Sequence, residues 1–236
     1  MAIKEIIQGT NSIVANRLKF VVDILDLDSV EKILDIGSWH LKQSIEFMDL
    51  FPDANVFAFE ANPSNYQNCK NTHNNLSGFY KKNLKVYDTA LNDKPGKINF
   101  YPVVGDNPGA SSKYKFMDGL TQEYWNATWN QTKIEVDATT LDLWCAENKI
   151  DNVDIIWIDV QGAELDVFRG GKEVLKDVKC IFTEVGLKPY YEGQALKSEI
   201  DKFLIDECGF VEIEESFEYN GSDCEANTIY VKSNLL

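Results

Sequence analysis

Acidic residues stand where buried strands of the sequence give way to turns. The clearest case is "IIWIDVQGAELDVFRGG", residues 155–171, in which an apolar run meets Asp159 and a helical pattern begins near Glu164. In open α/β sheets ligands bind at the carboxyl ends of strands, so an acid placed there faces a substrate while its strand stays buried. A carboxylate in this position can accept a proton from a substrate.

The same arrangement recurs at three earlier strand ends. Asp35 and Gly37 close "KILDIG", Glu60 closes "NVFAFEANP" and Asp88 closes "NLKVYDTAL". Gly37 would let a ligand approach the backbone, and the helix after it would offer free N–H groups, although glycine is common at such turns. A carboxylate at Glu60 can accept both hydroxyls of a ribose. The three strand ends predict one acidic rim that receives a nucleoside.

The turn after the first strand separates two classes of nucleoside cofactor. A dinucleotide needs G-x-G-x-x-G to bring its pyrophosphate against the backbone, whereas this turn reads "GSWHLK". An acidic rim receives a pyrophosphate poorly and a cationic nucleoside well. S-adenosylmethionine has a ribose, an adenine and a sulfonium, and it has no phosphate. The pattern therefore favours S-adenosylmethionine, and an NAD-dependent oxidoreductase remains the weaker alternative.

Strand and helix patterns alternate along the chain. This alternation predicts a mostly parallel, doubly wound α/β sheet, and "FVEIEES" and "ANTIYVK" predict an antiparallel hairpin at its end, with Asn220-Gly221 in the turn. Residues 12–26 have helical spacing with Ser12 as N-cap, and "SEIDKFLIDECGF" predicts a helix that ends at Gly209. We expect one domain over residues 1–236, with a helical extension at about 1–28.

Composition limits the function classes. Lys and Arg total 23 against 38 Asp and Glu, a formal charge of -15, which argues against nucleic acid and anionic membranes as partners. The five cysteines are scattered and form no C-x-x-C pair, which is typical of reduced thiols in the cytoplasm and disfavours zinc. The N-terminus shows neither a signal peptide nor a membrane span, so we expect a cytoplasmic protein.

Several segments resemble the FkbM-type S-adenosylmethionine-dependent methyltransferases. The resemblance covers roughly residues 30–232, and its most specific part is the I-D-V-Q/E-G-A-E signature. The segments stand in the family's order: "ILDIGSWHLKQS", "VFAFEANP", "TALNDKPGKINFY", "GASS", "TTLDLWC", "VDIIWIDVQGAELDVFRGG" and "FTEVGLKPYYEGQ". The resemblance implies a Rossmann-like class I methyltransferase fold and transfer of a methyl group to a hydroxyl, often on a sugar or a polyketide.

Position by position, the resemblance implies a cofactor site. It assigns the methionine portion to Asp35, Gly37 and Ser38, the ribose to Glu60 and Ala61, the adenine edge to Asp88, Thr89 and Ala90, further cofactor contacts to Ser111, and the surroundings of the sulfonium to Asp159. Trp39 and Leu41 replace the asparagine and second glycine that the family usually has after its first motif. This departure keeps open a second hypothesis, a binding protein on the same fold that has lost the reaction.

Methyl transfer needs an aligned acceptor oxygen and a group that removes its proton. Asp159 is the first candidate for this group, Glu184 at the end of "FTEV" is the second, and His40 beside the first turn is the third. Glu164 in such a position more often caps its helix. His40 can equally line the turn without taking part. Two carboxylates without a third ligand make a poor magnesium site, so no metal is predicted.

The aromatic stretch at about residues 104–131 leaves two readings open. Its rings can stack on an acceptor or on the sulfonium, or they can pack a lid onto the core. They are Tyr114, Phe116, Tyr124, Trp125 and Trp129, and Tyr190 and Tyr191 offer an opposite wall. The expected acceptor is a small hydroxylated compound, such as a glycan precursor or a secondary metabolite. A homo-oligomer is left open.

Overall fold

The computed structural model describes residues 3–105 and 107–236. Thirteen strands are present in these ranges. They are β1 (Lys32–Ile36), β2 (Asn55–Phe59), β3 (Leu84–Tyr87), β4 (Ala90–Leu91), β5 (Gly96–Phe100), β6 (Val103–Val104), β7 (Asn130–Gln131), β8 (Ile134–Thr139), β9 (Ile155–Ile158), β10 (Cys180–Gly186), β11 (Phe210–Glu212), β12 (Glu218–Tyr219) and β13 (Glu225–Lys232).

Helices alternate with the strands of the main sheet. They are α1 (Ile3–Gly9), α2 (Ile13–Leu18), α3 (Lys42–Leu50), α4 (Pro63–Asn75), α5 (Gly78–Asn83), α6 (Leu120–Trp125), α7 (Leu141–Asn148), α8 (Glu164–Arg169) and α9 (Lys197–Asp201). A π-helical segment, Lys202–Glu207, continues α9. Gly209 follows it with a φ of 70°, the left-handed conformation that ends helices, as predicted. Within the described ranges, no helix is long and apolar enough to cross a membrane.

The main sheet has the strand order β3-β2-β1-β9-β10-β13-β11, with β12 also paired to β13. The pairs from β3 to β10 are parallel. β13 is antiparallel to β10, β11 and β12. The predicted mostly parallel sheet with an antiparallel end is therefore confirmed. Because β13 runs the opposite way, its first residue, Glu225, lies at the same edge as the carboxyl end of β10.

Each face of the sheet carries its own apolar core. Successive side chains of a strand point to opposite faces, so Ile33 packs with the helices α1–α3 while Leu34 and Ile36 pack with α7–α9. The two cores sandwich a sheet whose central strands are buried on both sides. The carboxyl edge between these layers is where the loops meet.

The N-terminal helix is shorter than predicted. Ser12 caps it as expected, because its hydroxyl accepts the Ala15 N–H at 3.1 Å, but α2 ends at Leu18. Residues 19–25 continue as turns in which Val21 N–H bonds Leu18 O, a spacing of three residues. β-Branched residues at 21 and 22 weaken the helix, and their side chains stay buried in the core without it.

Candidate active site

A cavity of about 430 Å³ opens at the carboxyl edge of the main sheet. Its volume lies in the range of small-molecule sites, about 300–1,000 Å³. It lies where the strand order reverses between β1 and β9, the usual ligand position in open α/β sheets. The wall contains residues from the ends of β1, β2, β9 and β10, among them the predicted Gly37, Glu60, Asp159 and Glu184.

Gly37 brings the ends of β1 and β9 together. Its φ is 87°, and a Cβ on it would lie 1.8 Å from the backbone oxygen of Asp159. Only glycine fits this approach, because a side chain would overlap the neighbouring strand and strain the backbone. The glycine of the first motif thus has a packing reason in addition to any contact with a ligand.

Glu60 is 7% exposed and is fixed by backbone donors. Its Oε2 accepts the Trp39 N–H at 2.9 Å and its Oε1 accepts the Asn62 N–H at 2.8 Å. Burial raises the pKa of Glu60 to about 8, against the effect of these two hydrogen bonds. Each carboxylate oxygen keeps a further lone pair for a ligand hydroxyl.

Trp39 and Leu41 both adopt a left-handed backbone conformation in the turn after β1, which is unusual for their residue types. Their φ angles are 46° and 68°, in the left-handed region that asparagine and glycine adopt more readily. Leu41 is fully buried, and the Trp39 ring lies on the cavity wall against Gly109. Both residues that depart from the family pattern therefore adopt a left-handed backbone conformation.

The end of the cavity toward β3 is mainly apolar. The predicted Ala61, Thr89, Ala90 and Ser111 line this wall. Leu91, Ile98 and Phe100, from β4 and β5, extend it. A small sheet, β4-β8-β5, supports these residues. Such a surface suits a flat heterocycle beside a carboxylate.

The end toward β10 and β13 is a hydrogen-bonded network of carboxylates and amides. Gln161 Nε2 donates to Asp159 Oδ1 at 2.7 Å and to Glu184 Oε2 at 2.8 Å. Asn220 Nδ2 donates to Glu184 Oε1 at 2.6 Å and to Glu225 Oε1 at 3.1 Å. The Tyr190 hydroxyl donates to Glu225 Oε2. Three acids therefore share one short stretch of wall.

These acids hold their protons more tightly than free carboxylates do. Burial raises the pKa of Asp159, and it raises that of Glu184 well above its ordinary value. Burial also raises the pKa of Glu225 to about 7. Neighbouring acids add to the rise for Glu184 and Glu225. A raised pKa makes a carboxylate a stronger proton acceptor once it is ionised.

Glu164 has a structural position. It is 1% exposed, and its Oε1 accepts the N–H groups of Val160 and Gly162 at 3.0 and 3.3 Å. The carboxylate thus fixes the turn between β9 and α8 from inside the core, and it does not line the cavity. This geometry agrees better with the expected structural role of Glu164 at the start of its helix than with a catalytic role.

Four predicted site residues lie outside the cavity wall. Asp35 points to the opposite face of β1, where it accepts the Ser44 hydroxyl, and burial raises its pKa to about 6. Ser38 is buried and donates to Phe59 O. His40 is exposed with its ring 4.1 Å from that of Trp39, and Asp88 is exposed. Alternation along β1 places Asp35 on the face opposite to Leu34 and Ile36.

The rings of the aromatic stretch divide between the cavity wall and the core. Trp125, Trp129 and Tyr190 line the cavity. Phe116 stacks on Tyr191 at 4.8 Å and packs the lid onto the core. The predicted irregular segment contains a 3-10 turn, Pro108–Ala110, followed by α6 and β7. Asp106 lies outside the described residues.

Three residues of the hydrogen-bonded network toward β10 and β13 were not predicted as functional: Gln161, Asn220 and Glu225. Asn220 had a sequence signal only as the hairpin turn, and Glu225 opens a strand instead of closing one. Gln161 stands in the signature itself, next to residues that were chosen. Among residues 3–105 and 107–236, no group of three or more His, Cys, Asp or Glu side chains could hold a metal ion.

Comparisons with known proteins agree with this architecture. The chain matches the family described as methyltransferase FkbM domain over residues 36–212. It is 34% identical over 168 residues to the 2-O-methyltransferase NoeI of Sinorhizobium fredii, a match that covers 69% of this chain and 66% of that protein, just under two thirds of its length.

Solved structures show the same fold at low identity. The N-terminal domain of human METTL16 has a TM-score of 0.50 at 11% identity, covering 95% of this chain and 72% of that chain. An uncharacterised protein from Listeria monocytogenes has a TM-score of 0.50 at 12% identity, covering 95% and 69%. With the cavity at the expected edge of this fold and the family match over most of its length, the chain belongs to the FkbM family of methyltransferases.

Proposed function

We propose that the protein transfers a methyl group from S-adenosylmethionine to a hydroxyl of a small hydroxylated acceptor. One observation carries the proposal: a single cavity at the strand-order reversal has Glu60 on the β2 side of Gly37 and Asp159 on the β9 side. The first carboxylate suits a ribose and the second suits a reacting hydroxyl. The name of the relative, a 2-O-methyltransferase, supports an oxygen acceptor.

The residues on the wall fit S-adenosylmethionine. Glu60 would bind the ribose hydroxyls, the surface of Ala61, Ala90, Ile98 and Phe100 would hold the adenine, and the backbone at Gly37 would face the methionine portion. A negative wall favours the sulfonium charge. When bound, the cofactor supplies an activated methyl group.

The hydrogen-bond pattern favours Asp159 over Glu184 as the group that takes the proton. Both oxygens of Glu184 accept from amide donors, Asn220 and Gln161. Asp159 accepts one amide donor, Gln161 at Oδ1, so fewer amide groups compete with the acceptor hydroxyl for its carboxylate. As the oxygen–methyl bond forms and the sulfur–methyl bond breaks, the hydroxyl proton passes to Asp159 and then to water.

The acceptor would enter the cavity beside the lid, which is the aromatic stretch at about residues 104–131. Trp125, Trp129 and Tyr190 present aromatic faces there, beside the hydrogen-bonding groups of Asn220 and Glu225. Aromatic faces next to carboxylates and amides suit a ring that carries several hydroxyls. A glycan precursor or a hydroxylated secondary metabolite has this chemistry.

Titration with S-adenosylhomocysteine by calorimetry tests the cofactor before any acceptor is known. We expect micromolar binding, about -8 kcal/mol, and no binding of NAD at the same concentrations. A folded protein that binds no S-adenosylhomocysteine would contradict the proposal and favour a repurposed scaffold.

Asp159→Asn tests the chemistry. We expect unchanged affinity for S-adenosylhomocysteine and a kcat about 100- to 10,000-fold lower, the usual contribution of a general base. Methyl transfer is measured with radiolabelled cofactor on a panel of hydroxylated acceptors. Glu184→Gln is the comparison and should lose less activity. Equal turnover of Asp159→Asn and wild type would remove Asp159 from the reaction.

A further inference from the structure

Gln161 is the centre of the polar wall. Its Nε2 bonds two carboxylates, Asp159 at 2.7 Å and Glu184 at 2.8 Å, and its Oε1 lies 3.0 Å from the Tyr191 hydroxyl. Its backbone has a φ of 56°, and its carbonyl accepts the Ser112 hydroxyl at 2.7 Å. Side chain and main chain of this residue are thus both fixed.

The orientation of the amide follows from its neighbours. Two carboxylates on one side require the donor end of the amide there, and the Tyr191 hydroxyl, shared with Ala110 O at 2.8 Å, faces the carbonyl end. Tyr191 is 1% exposed, so this support does not move freely. A reversed amide would set a carbonyl oxygen against two acids.

The surroundings of the two carboxylates are almost wholly acidic. Among the described wall residues Lys113 is the one Lys or Arg, and it pairs with Asp166 at 2.7 Å. Six further titratable groups interact electrostatically with one or both carboxylates: Asp35 from β1, Glu60 after β2, Glu164 from α8, Glu225 from β13, and Tyr190 and Tyr191 from the loop after β10. Two negative charges around one nitrogen in such a place repel strongly, so binding one proton between them relieves the repulsion.

We propose that Gln161 is a positioning residue whose amide clamps Asp159 and Glu184 into a pair that holds one proton, with Asp159 as the ionised member that faces the acceptor. This inference rests on the proposed function for the role of Asp159, while the shared proton is a property of the protein alone. Glu184 then serves as the neutral partner. The clamp fixes the carboxylate of Asp159, which lies on the cavity wall.

Carbon-13 NMR of the side-chain carboxyls tests the pair without cofactor or acceptor. Signals are assigned by their loss in Asp159→Asn and Glu184→Gln, and both are followed between pH 4 and 10. We expect each carboxyl to report the same two titration steps in the wild type. In Gln161→Met the first step should move up by about one pH unit or more, because the hydrogen bonds that stabilise the ionised form are lost.

Two variants guard against a trivial structural effect. Gln161→Glu keeps the size of the side chain but replaces the donor with an acid, and it should raise the first step further. Gln67→Met makes the same change on the exposed face of α4, where the amide bonds Asn71, and should leave both steps in place. One independent step per carboxyl in the wild type, or titration that is identical in the wild type and both Gln161 variants, would overturn the proposal.

Kinetics add a second measurement once an acceptor turns over. The acid limb of the pH profile of kcat/KM should move to higher pH in Gln161→Met, with the affinity for S-adenosylhomocysteine kept within about twofold of wild type. A parallel loss of affinity and activity with an unmoved acid limb would make Gln161 purely structural. Failure of the wild type to methylate any acceptor would count against the proposed function, whereas the NMR result would still decide the clamp.

Discussion

Two buried glutamates of this protein differ in what their carboxyl groups contact. Glu60 and Glu164 have similar burial and a pKa raised to about 8, yet only Glu60 reaches the cavity. Glu164 uses one oxygen to fix the turn after β9, whereas Glu60 meets one backbone donor with each oxygen. The same residue type thus fixes a turn inside the core in one position and lines the cavity in the other.

Glu60→Ala should weaken the binding of S-adenosylhomocysteine about 10- to 100-fold, because leaving the ribose hydroxyls without a hydrogen-bond partner costs about 1–3 kcal/mol. Folding should suffer less, since water in the cavity can reach the freed N–H groups. Calorimetry measures the first effect and urea unfolding the second. Glu46→Ala is the control, because Glu46 accepts the Val14 N–H at 2.8 Å away from the cavity. Equal losses of binding and unfolding free energy would leave Glu60 structural.

The sequence patterns predicted the edge of the sheet that carries the site more accurately than they predicted which residues line it. Strand ends predicted the edge, and Gly37, Glu60 and Asp159 do lie there. Whether a side chain near a strand end faces the cavity depends on the pleat and on the loop, which a short run does not fix. Asp35 and Asp88 were therefore predicted at the site but face elsewhere, and Glu225 was missed because an antiparallel strand reaches the edge by its first residue.

Among the secondary-structure elements, the close contact between the ends of β1 and β9 determines the shape of the site. Gly37→Ala should destabilise the fold by at least about 3 kcal/mol, since the new Cβ combines left-handed strain with overlap on the Asp159 oxygen. Gly119→Ala is the matched control, because Gly119 has a φ of 82° with open space around it, and it should cost about 1–2 kcal/mol. Urea unfolding compares the two. Similar costs would contradict the importance of the close approach.

The lid should act on the acceptor and not on the cofactor. Trp129→Ala is expected to raise KM for the acceptor about tenfold while leaving the affinity for S-adenosylhomocysteine within about twofold, because stacking of one ring contributes about 0.5–1.5 kcal/mol. Phe79→Ala, an exposed aromatic change on α5, is the control. Loss of cofactor affinity in Trp129→Ala would instead place this ring against S-adenosylmethionine.

The order of the helices and strands was predictable where the periodic pattern of apolar residues was long and was bounded by turn or capping residues. The strands of the main sheet, the helix ending at Gly209 and the terminal antiparallel pairing all follow the sequence patterns. The lid was not predictable, because its rings pack on Tyr190 and Tyr191, residues far away in the chain. Residues 19–25 were predicted as helix but form turns, since burial of their apolar side chains does not require helical hydrogen bonds.

Across the whole molecule, both the excess of negative charge and the burial of acidic groups favour protonated carboxyls. The formal charge is -15, and burial raises the pKa of six carboxyls among the described residues. The pKa is about 6 for Asp35, about 7 for Glu225 and about 8 for Glu60 and Glu164, and burial also raises it for Asp159 and Glu184. Folding keeps these groups protonated at pH values where the unfolded chain ionises them. A cationic cofactor would favour the ionised form of the acids that line the cavity, which links ligand binding to their titration.

The free protein should therefore lose stability as pH rises. A group with a raised pKa contributes stability that is fully present below its unfolded pKa, near 4 to 4.5, and is lost as pH passes the folded value, here from about 6 to 8. Each proton involved contributes a slope of about 1.4 kcal/mol per pH unit. Urea unfolding between pH 5 and 8.5 measures it. Glu164→Gln keeps an oxygen acceptor without the titration, so it should flatten the slope and be more stable than wild type above pH 8. Stability that stays level or rises across this range in the wild type would show that these carboxyls ionise freely in the folded protein.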